Sequence, residues 1–207
     1  EILNVIDEKK VFGLTVQYCD LEIIENVVGY TIEDIYTSEL INQKVLDPPI
    51  EYTFKTKGFV FRLPKPKNVI TDCSEIPCDE ILMGAFHAVE HVLIESSSML
   101  TGGGSSEIGG ISMGDSVVVF VYHGAKGVSG LSKLLYDKLS EGIQRSLEIL
   151  IGCSCTSIDG CPRCTYSYQC GNNNQPLHKM GAIETLQLVV KGIQTKVTGY
   201  DTEKSFI

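Results

Sequence analysis

The sequence predicts an α+β fold: a mixed β-sheet with about three main helices and a C-terminal four-cysteine zinc knuckle. Three observations carry that prediction. Residues 1–67 are rich in β-branched and aromatic residues, with stretches of two-residue alternation. Residues 79–97 and 131–151 keep an apolar stripe at the helical period, and a last helix runs from roughly Leu177 to Gln194. Five of the eight cysteines fall between Cys153 and Cys170, spaced C-x-C-x5-C-x2-C-x5-C. The 207 residues read as one domain, β-rich over 1–67 and mixed α/β with the cysteine site over 68–207.

Residues 11–36 read as strands through Val11, Leu14, Val16 and Tyr18, then Leu21 to Ile24 and Val27 to Tyr30. Thr37 to Leu46 reads as irregular or a short helix, and Pro48-Pro49 as its end. Tyr52, Phe54, Phe59 and Phe61 mark a half-buried strand or two with a kink at Gly58, closed by Pro64 and Pro66. A helix follows from Asp79, a plausible N-cap, to about Ser97. The Gly-Ser-rich run from Thr101 to Ser106 is a loop. Ser116 to Tyr122, with its four-residue Val-Val-Val-Phe centre, reads as a buried central strand. A glycine-rich turn, Gly124 to Gly130, leads into one helix from about Leu131 to Ile151, with Leu134, Leu135, Leu139, Ile143, Leu147 and Leu150 as its buried stripe.

The cysteine stretch carries the strongest chemistry. Cys161-Pro-Arg-Cys164 supplies half of a tetrahedral thiolate site, and flanking cysteines can supply the rest. Asp159-Gly160, Pro162 and Gly171 allow the backbone to turn around an ion. A disulfide set fits poorly, because five is odd and no secretory segment is visible. A redox pair fits poorly too, since a helix rather than a strand precedes it. A structural zinc ion takes four ligands, which leaves one cysteine over. Cys161, Cys164 and Cys170 are three of them, and Cys155 or Cys153 completes the set, with Cys155 favoured as lying outside the preceding helix. Cys19, Cys73 and Cys78 read as buried thiols.

The net charge is −9, which argues against indiscriminate nucleic-acid binding. Its distribution is uneven: residues 51–67 hold one acid and five bases, while residues 68–115 hold eight acids and no base. Lys55, Lys57, Arg62, Lys65 and Lys67 are therefore candidate phosphate contacts, against the plainer reading of a solvated strand face. His87-Ala-Val-Glu90-His91 matches the H-x-x-E-H pattern of inverted zinc proteases, with Glu90 as base and Glu107 or Asp115 as a nominal third ligand. An amphipathic helix with polar-edge histidines explains the same residues. The turn from Gly124 to Gly130 sits between strand and helix, where backbone N–H groups can meet an anion. No Walker A loop or Asp-Glu-x-His box is present, so no ATPase is visible in this chain and no catalytic activity is expected of it. No apolar run reaches the length of a membrane span. A start at Glu1 suggests a piece of a longer protein, and the thiols suggest a reducing interior.

Beyond these readings, Cys153-x-Cys155, Gly160-Cys161-Pro162-x-Cys164, Cys170-Gly171-Asn172-x-Asn174 and Leu177-x-Lys179 resemble the zinc-binding C-terminal domain of MrfA-type superfamily 2 DNA-repair helicases, the MZB domain. The resemblance extends to the His87–His91 helix, to Ile108-Gly109-Gly110 as its following loop, to Val119–Leu131, and upstream to Val28-Gly29-Tyr30 and Pro48-Pro49. It covers roughly residues 15–185, with departures at Tyr122-His123, at Gly127-Val128-Ser129-Gly130 and in the spacing from Cys155 to Cys161. It implies a structural zinc ion on four cysteines. It implies an accessory domain that binds or guides single-stranded DNA and couples it to helicase motor domains in cis or in a partner subunit. The parent would be an ATP-dependent 3′–5′ DNA helicase, in the cytoplasm, nucleoid or nucleus. The same domain type also occurs in DNA-associated subunits of phage-defence systems. A metal-dependent hydrolase on the H-x-x-E-H helix and a pure protein-interaction module are the competing classes.

Overall fold

A computed structural model describes residues 1–37, 39–70, 76–114, 116–124 and 130–193. Strands β1 (Ile2–Val11), β2 (Leu14–Glu33) and β3 (Leu40–Arg62) follow one another as a meander. Helix α1 (Cys78–Thr101) and a short 3-10 turn (Ser105–Glu107) lead to β4 (Ile108–Met113) and β5 (Val118–His123). Helices α2 (Leu131–Asp137), α3 (Leu139–Gly152) and α4 (Lys179–Val190) complete the order. The sheet runs β1-β2-β3-β5-β4, and all four pairings are antiparallel. The sequence points to a mixed sheet. The β3–α1–β4 crossover does bring two strands to the same direction, but β5 inserts between them, so no parallel pair forms among the described residues.

Strand alternation sorts the core onto two faces. Val16, Tyr18, Phe59, Phe61, Val119 and Val121 face the helices and join Phe86, Val89 and Leu93 of α1. Cys19, Leu21, Val60, Val118 and Tyr122 form a smaller cluster on the opposite face. Helix α1 is the hub of the helical layer, packed on α3, α4 and β4.

Four expectations of secondary structure change. Helix α1 begins at Cys78 with Pro77 as its N-cap, so Asp79 lies inside the first turn, where its charge complements the helix dipole. Residues 108–110 are strand rather than loop. Their Gly-Gly pair reads as a loop in sequence, but a Cβ on Gly110 would come within 2.5 Å of the Glu90 carboxylate, so glycine is what lets α1 close on β4. The helix expected over 131–151 is two, broken at Lys138, whose ammonium donates to the Leu100 carbonyl at 2.9 Å. Residues 40–46 continue β3 instead of ending as an irregular segment.

That last change reveals a long β2–β3 hairpin. Its ladder runs from Val16↔Phe61 out to Glu33↔Leu40, with a register shift between Val27↔Ile50 and Gly29↔Val45. Pro48 and Pro49 sit in that shift, where no ladder bond needs the N–H they lack. Beyond Ile23 and Phe54 the hairpin leaves the body of the protein. Ile24, Val27, Val28, Ile41, Val45 and Ile50 are all exposed along it. Among the described residues no helix is long and apolar enough to cross a membrane.

Candidate metal centre

The centre is assembled where α3 ends. Helix α3 stops at Gly152, and Cys153 already has extended backbone (φ −83°, ψ 121°). Its side chain is thus turned off the helix and toward the segment that follows. Downstream, a tight turn forms at Cys161: the N–H groups of Cys164 and Thr165 donate to the Cys161 carbonyl at 2.9 and 3.0 Å. Gly160 makes the turn possible, with φ +92° and a missing Cβ that would lie 2.1 Å from Thr165 Oγ1. Thr165 Oγ1 in turn donates to the Asp159 carbonyl at 2.7 Å and accepts from the Cys161 N–H at 3.1 Å.

Four sulfurs converge as a result. Cys153 Sγ lies 3.6 Å from Cys161 Sγ, Cys155 Sγ lies 3.6 Å from Cys164 Sγ, and Cys161 and Cys164 Sγ are 3.7 Å apart. All four lie within 4.8 Å of one another. Disulfide sulfurs would sit about 2.05 Å apart. Four thiolates held at about 2.3 Å from one zinc ion in a tetrahedron stand about 3.8 Å apart. The spacing fits the second geometry. The group expected from the sequence is Cys155, Cys161, Cys164 and Cys170. The structure gathers Cys153 in place of Cys170, because Cys153 belongs to the segment after α3 rather than to the helix.

Electrostatics around the sulfurs suit anionic ligands. Lys179, at the start of α4, is buried and aims its ammonium at this centre. Its Nζ donates to the Cys153 carbonyl at 2.8 Å, the Cys155 carbonyl at 3.0 Å and Cys155 Sγ at 3.3 Å. Burial pulls the Lys179 pKa down, but the Cys155 hydrogen bond and the neighbouring thiolates outweigh it and hold it above the ordinary value. A backbone hydrogen bond at Cys155 leads the effects that bring the Cys153 thiol down to about 7, whereas burial pushes Cys164 up to about 12. The sequence motif contains Lys179, but only the fold shows what the ammonium reaches.

Cys170 stands elsewhere, with the two helical histidines. His87 and His91 are four residues apart on α1, their rings 4.2 Å apart between centroids, and Cys170 Sγ is 3.4 Å from His87 Nε2. The Cys170 thiol is held below its ordinary range: burial opposes this, but a His91 hydrogen bond and backbone N–H donors win. Glu90, the candidate base, does not join them. It is 7% exposed and bonded to Ser112 on β4, and burial pushes its carboxyl pKa up. Glu107 lies in the 3-10 turn outside the histidine group, and Asp115 lies outside the described residues.

The basic residues of β3 are not one strip. Lys55 and Lys57 share a face and meet cross-strand acids, Lys55 to Glu22 at 3.9 Å and Lys57 to Asp20 at 3.0 Å. Arg62 lies on the opposite face, as its even position requires. Lys65 and Lys67 are exposed beyond the strand. The turn residues 125–129 and Cys73 lie outside the described residues. Cys19 is a fully buried free thiol as expected, whereas Cys78 is disulfide-bonded.

Comparison with known proteins agrees with this geometry. The family described as MrfA Zn-binding domain matches residues 89–165, a span that contains all four converging cysteines. An uncharacterized protein of Methanocaldococcus jannaschii is 39% identical in an alignment 109 residues long that covers 49% of this chain and 96% of that protein. A crystal structure of the helicase MrfA bound to DNA superposes with a TM-score of 0.56 at 15% identity. That likeness covers 90% of this chain, and the chain spans 24% of the helicase's length, so it speaks for a shared fold. With the four-thiol centre, the matched segment and the shared fold together, the chain belongs to the MrfA Zn-binding domain family.

Proposed function

We propose that this chain is the zinc-binding accessory domain of a DNA helicase, and that it guides single-stranded DNA for motor domains lying outside the sequence. The observation that carries the reading is the four-sulfur cluster of Cys153, Cys155, Cys161 and Cys164 inside the family-matched segment. Zinc held there would fix the shape of residues 153–165, a stretch with little apolar core of its own. It would act as a structural ion: all four positions are taken by protein sulfur, leaving none for substrate. The motor would be an ATP-dependent 3′–5′ helicase in cis or in a partner subunit. The exposed apolar hairpin fits a domain that is covered by a neighbour.

Among the candidate phosphate contacts, Lys65 and Lys67 lead, because a phosphate at Lys55 or Lys57 must compete with Glu22 or Asp20. The test is anisotropy of a labelled single-stranded oligonucleotide titrated with the chain at increasing salt. Charge reversal at Lys65 and Lys67 is expected to weaken binding and flatten the slope of log K against log salt by about 0.7 for each phosphate no longer neutralised. Absence of binding even at low salt would remove the DNA role and leave a protein-docking module.

A further inference from the structure

We propose that His87 Nε2, His91 Nε2 and Cys170 Sγ form a second zinc site, separate from the four-thiol centre, that pins the middle of α1 to the end of the cysteine segment. The three donor atoms lie within 4.8 Å of one another although His91 and Cys170 are far apart in sequence. The inference concerns this chain's own side chains and does not need the helicase reading.

Hydrogen bonding settles which ring nitrogens are available. His87 Nδ1 lies 2.9 Å from the Pro176 carbonyl oxygen, and His91 Nδ1 lies 2.8 Å from the Thr165 carbonyl oxygen. A carbonyl oxygen can only accept, so each Nδ1 carries a proton, and in the neutral ring that a metal ion needs, Nε2 is the nitrogen left with a lone pair. Carbonyl-anchored imidazoles of this kind are what orient histidines around a metal ion. His87 Nε2 lies 3.4 Å from Cys170 Sγ, and a donor nitrogen of His91 lies within 4.8 Å of both, so the single thiol proton can serve one ring and not both. His91 is 3% exposed, which makes an unmatched lone pair there costly. A divalent ion satisfies both nitrogens and the sulfur together. Zn–N of about 2.0–2.1 Å and Zn–S of about 2.3 Å in a tetrahedron place N and S about 3.6 Å apart. The His87 Nε2 to Cys170 Sγ distance is 3.4 Å. The Asn174 N–H also donates to Cys170 Sγ, at 3.3 Å, as backbone amides do to metal-bound thiolates.

Two nitrogens and one thiolate form a borderline-soft set that suits zinc. Among the described residues no fourth His, Cys, Asp or Glu joins the three, so water or a small exogenous ligand takes the fourth position. The site differs from the inverted-protease pattern. Its third ligand is Cys170 rather than a distal carboxylate, and Glu90 is engaged by Ser112. It is a tie between helix and knuckle. Thr165 joins it to the other centre, since its carbonyl anchors His91 while the preceding residue, Cys164, faces the four-thiol cluster.

The test is zinc stoichiometry by plasma mass spectrometry on the intact chain reconstituted with zinc and freed of excess, with zinc-edge X-ray absorption on the same sample. Two zinc ions per chain are expected. The average shell should hold about 2.5 sulfurs and about 1.5 nitrogens or oxygens, the mean of a four-sulfur site and a one-sulfur site. His87→Gln and Cys170→Ser should each drop the count to one and return the shell to sulfur alone. One zinc per chain with four sulfurs in the unsubstituted protein overturns the proposal. So do two zinc ions that both survive His87→Gln and Cys170→Ser. One zinc in a nitrogen-rich shell would instead keep this site and sink the four-thiol one. Because the first measurement uses the unsubstituted chain, it holds even if a variant fails to fold.

Discussion

The outer hairpin and the cysteine segment solve the same problem in opposite ways. Each is a stretch of chain with little apolar core. In the hairpin, from Ile24 to Thr53, the ladder bonds of β2 and β3 satisfy the backbone, while the apolar side chains stay in water. In the cysteine segment regular ladders are absent among the described residues of 153–175, and side chains do the holding: four sulfurs, one buried ammonium and a threonine. The difference teaches that order near the surface can come from repetitive weak bonds or from a few strong convergent ones. The second kind should fail abruptly, and the first by degrees.

The largest expected effect breaks the convergent side. Chelation of zinc, or Cys161→Ser, should release a binding term of about 10 kcal/mol or more of the kind measured in structural zinc sites. Amide exchange should then rise sharply over residues 153–165 while the hairpin ladder keeps its protection. Equal protection with and without metal would mean that the sulfurs do not hold this segment. Next in size is Lys179→Met. It strips the cation from the Cys153 and Cys155 carbonyls and the Cys155 sulfur, and should cost about 3–5 kcal/mol as a broken buried charge contact. Thermal melts of the zinc-loaded protein would read it, and an unchanged midpoint would contradict it.

A smaller effect concerns Glu184 on α4. Its carboxylate accepts the backbone N–H groups of Lys67, Asn68 and Val69 at 2.7 to 3.1 Å. Burial raises its pKa, but these three donors win and hold it below the ordinary glutamate range. A depressed carboxylate stabilises the fold above its unfolded value of about 4.3 and loses that contribution as pH falls through the lower folded value. Glu184→Gln should therefore cost about 1–2 kcal/mol at neutral pH and little at strongly acidic pH. Denaturant midpoints at the two pH values would show it, and a cost independent of pH would point to packing instead. The smallest effect belongs to the hairpin. Replacing exposed Val28 and Val45 by threonine should change global stability by no more than about 0.5 kcal/mol, since no core is touched. A larger loss would show that the outer ladder is coupled to the body.

The same contrast explains what can be read from sequence. The knuckle is legible because thiolate spacing is itself the chemistry: Cys161-x-x-Cys164 needs no fold to suggest a metal. The choice between Cys153 and Cys170 is not, because it depends on where α3 ends and on α1 reaching Cys170 with two histidines. Helix α1 is legible through its period. Strand β1 is hidden, since Ile2 to Lys10 is almost all exposed and lacks a buried alternation. Strand β4 is hidden by its glycine pair, and the outer half of β3 by its prolines, each residue type serving a contact made elsewhere in the chain. Lys55, Lys57 and Arg62 look like one strip only until strand parity and the acids of β2 are placed beside them.

The hairpin has a mechanical consequence. From Ile24↔Thr53 to Glu33↔Leu40 it extends over about 30 Å, at about 3.3 Å per residue, clamped at one end by β1 and β5 and supported at the other by nothing among the described residues. It is a cantilever. Its deflection under a given load grows with the cube of its length, and the bending moment is greatest at the root. There β3 passes β5 at Gly58↔Tyr122, where a Cβ on Gly58 would meet the Val121 carbonyl oxygen at 2.4 Å. Any force met at the tip is thus delivered to a crossing that leaves no room for a side chain on Gly58, and from Tyr122 it reaches the strand beside α1.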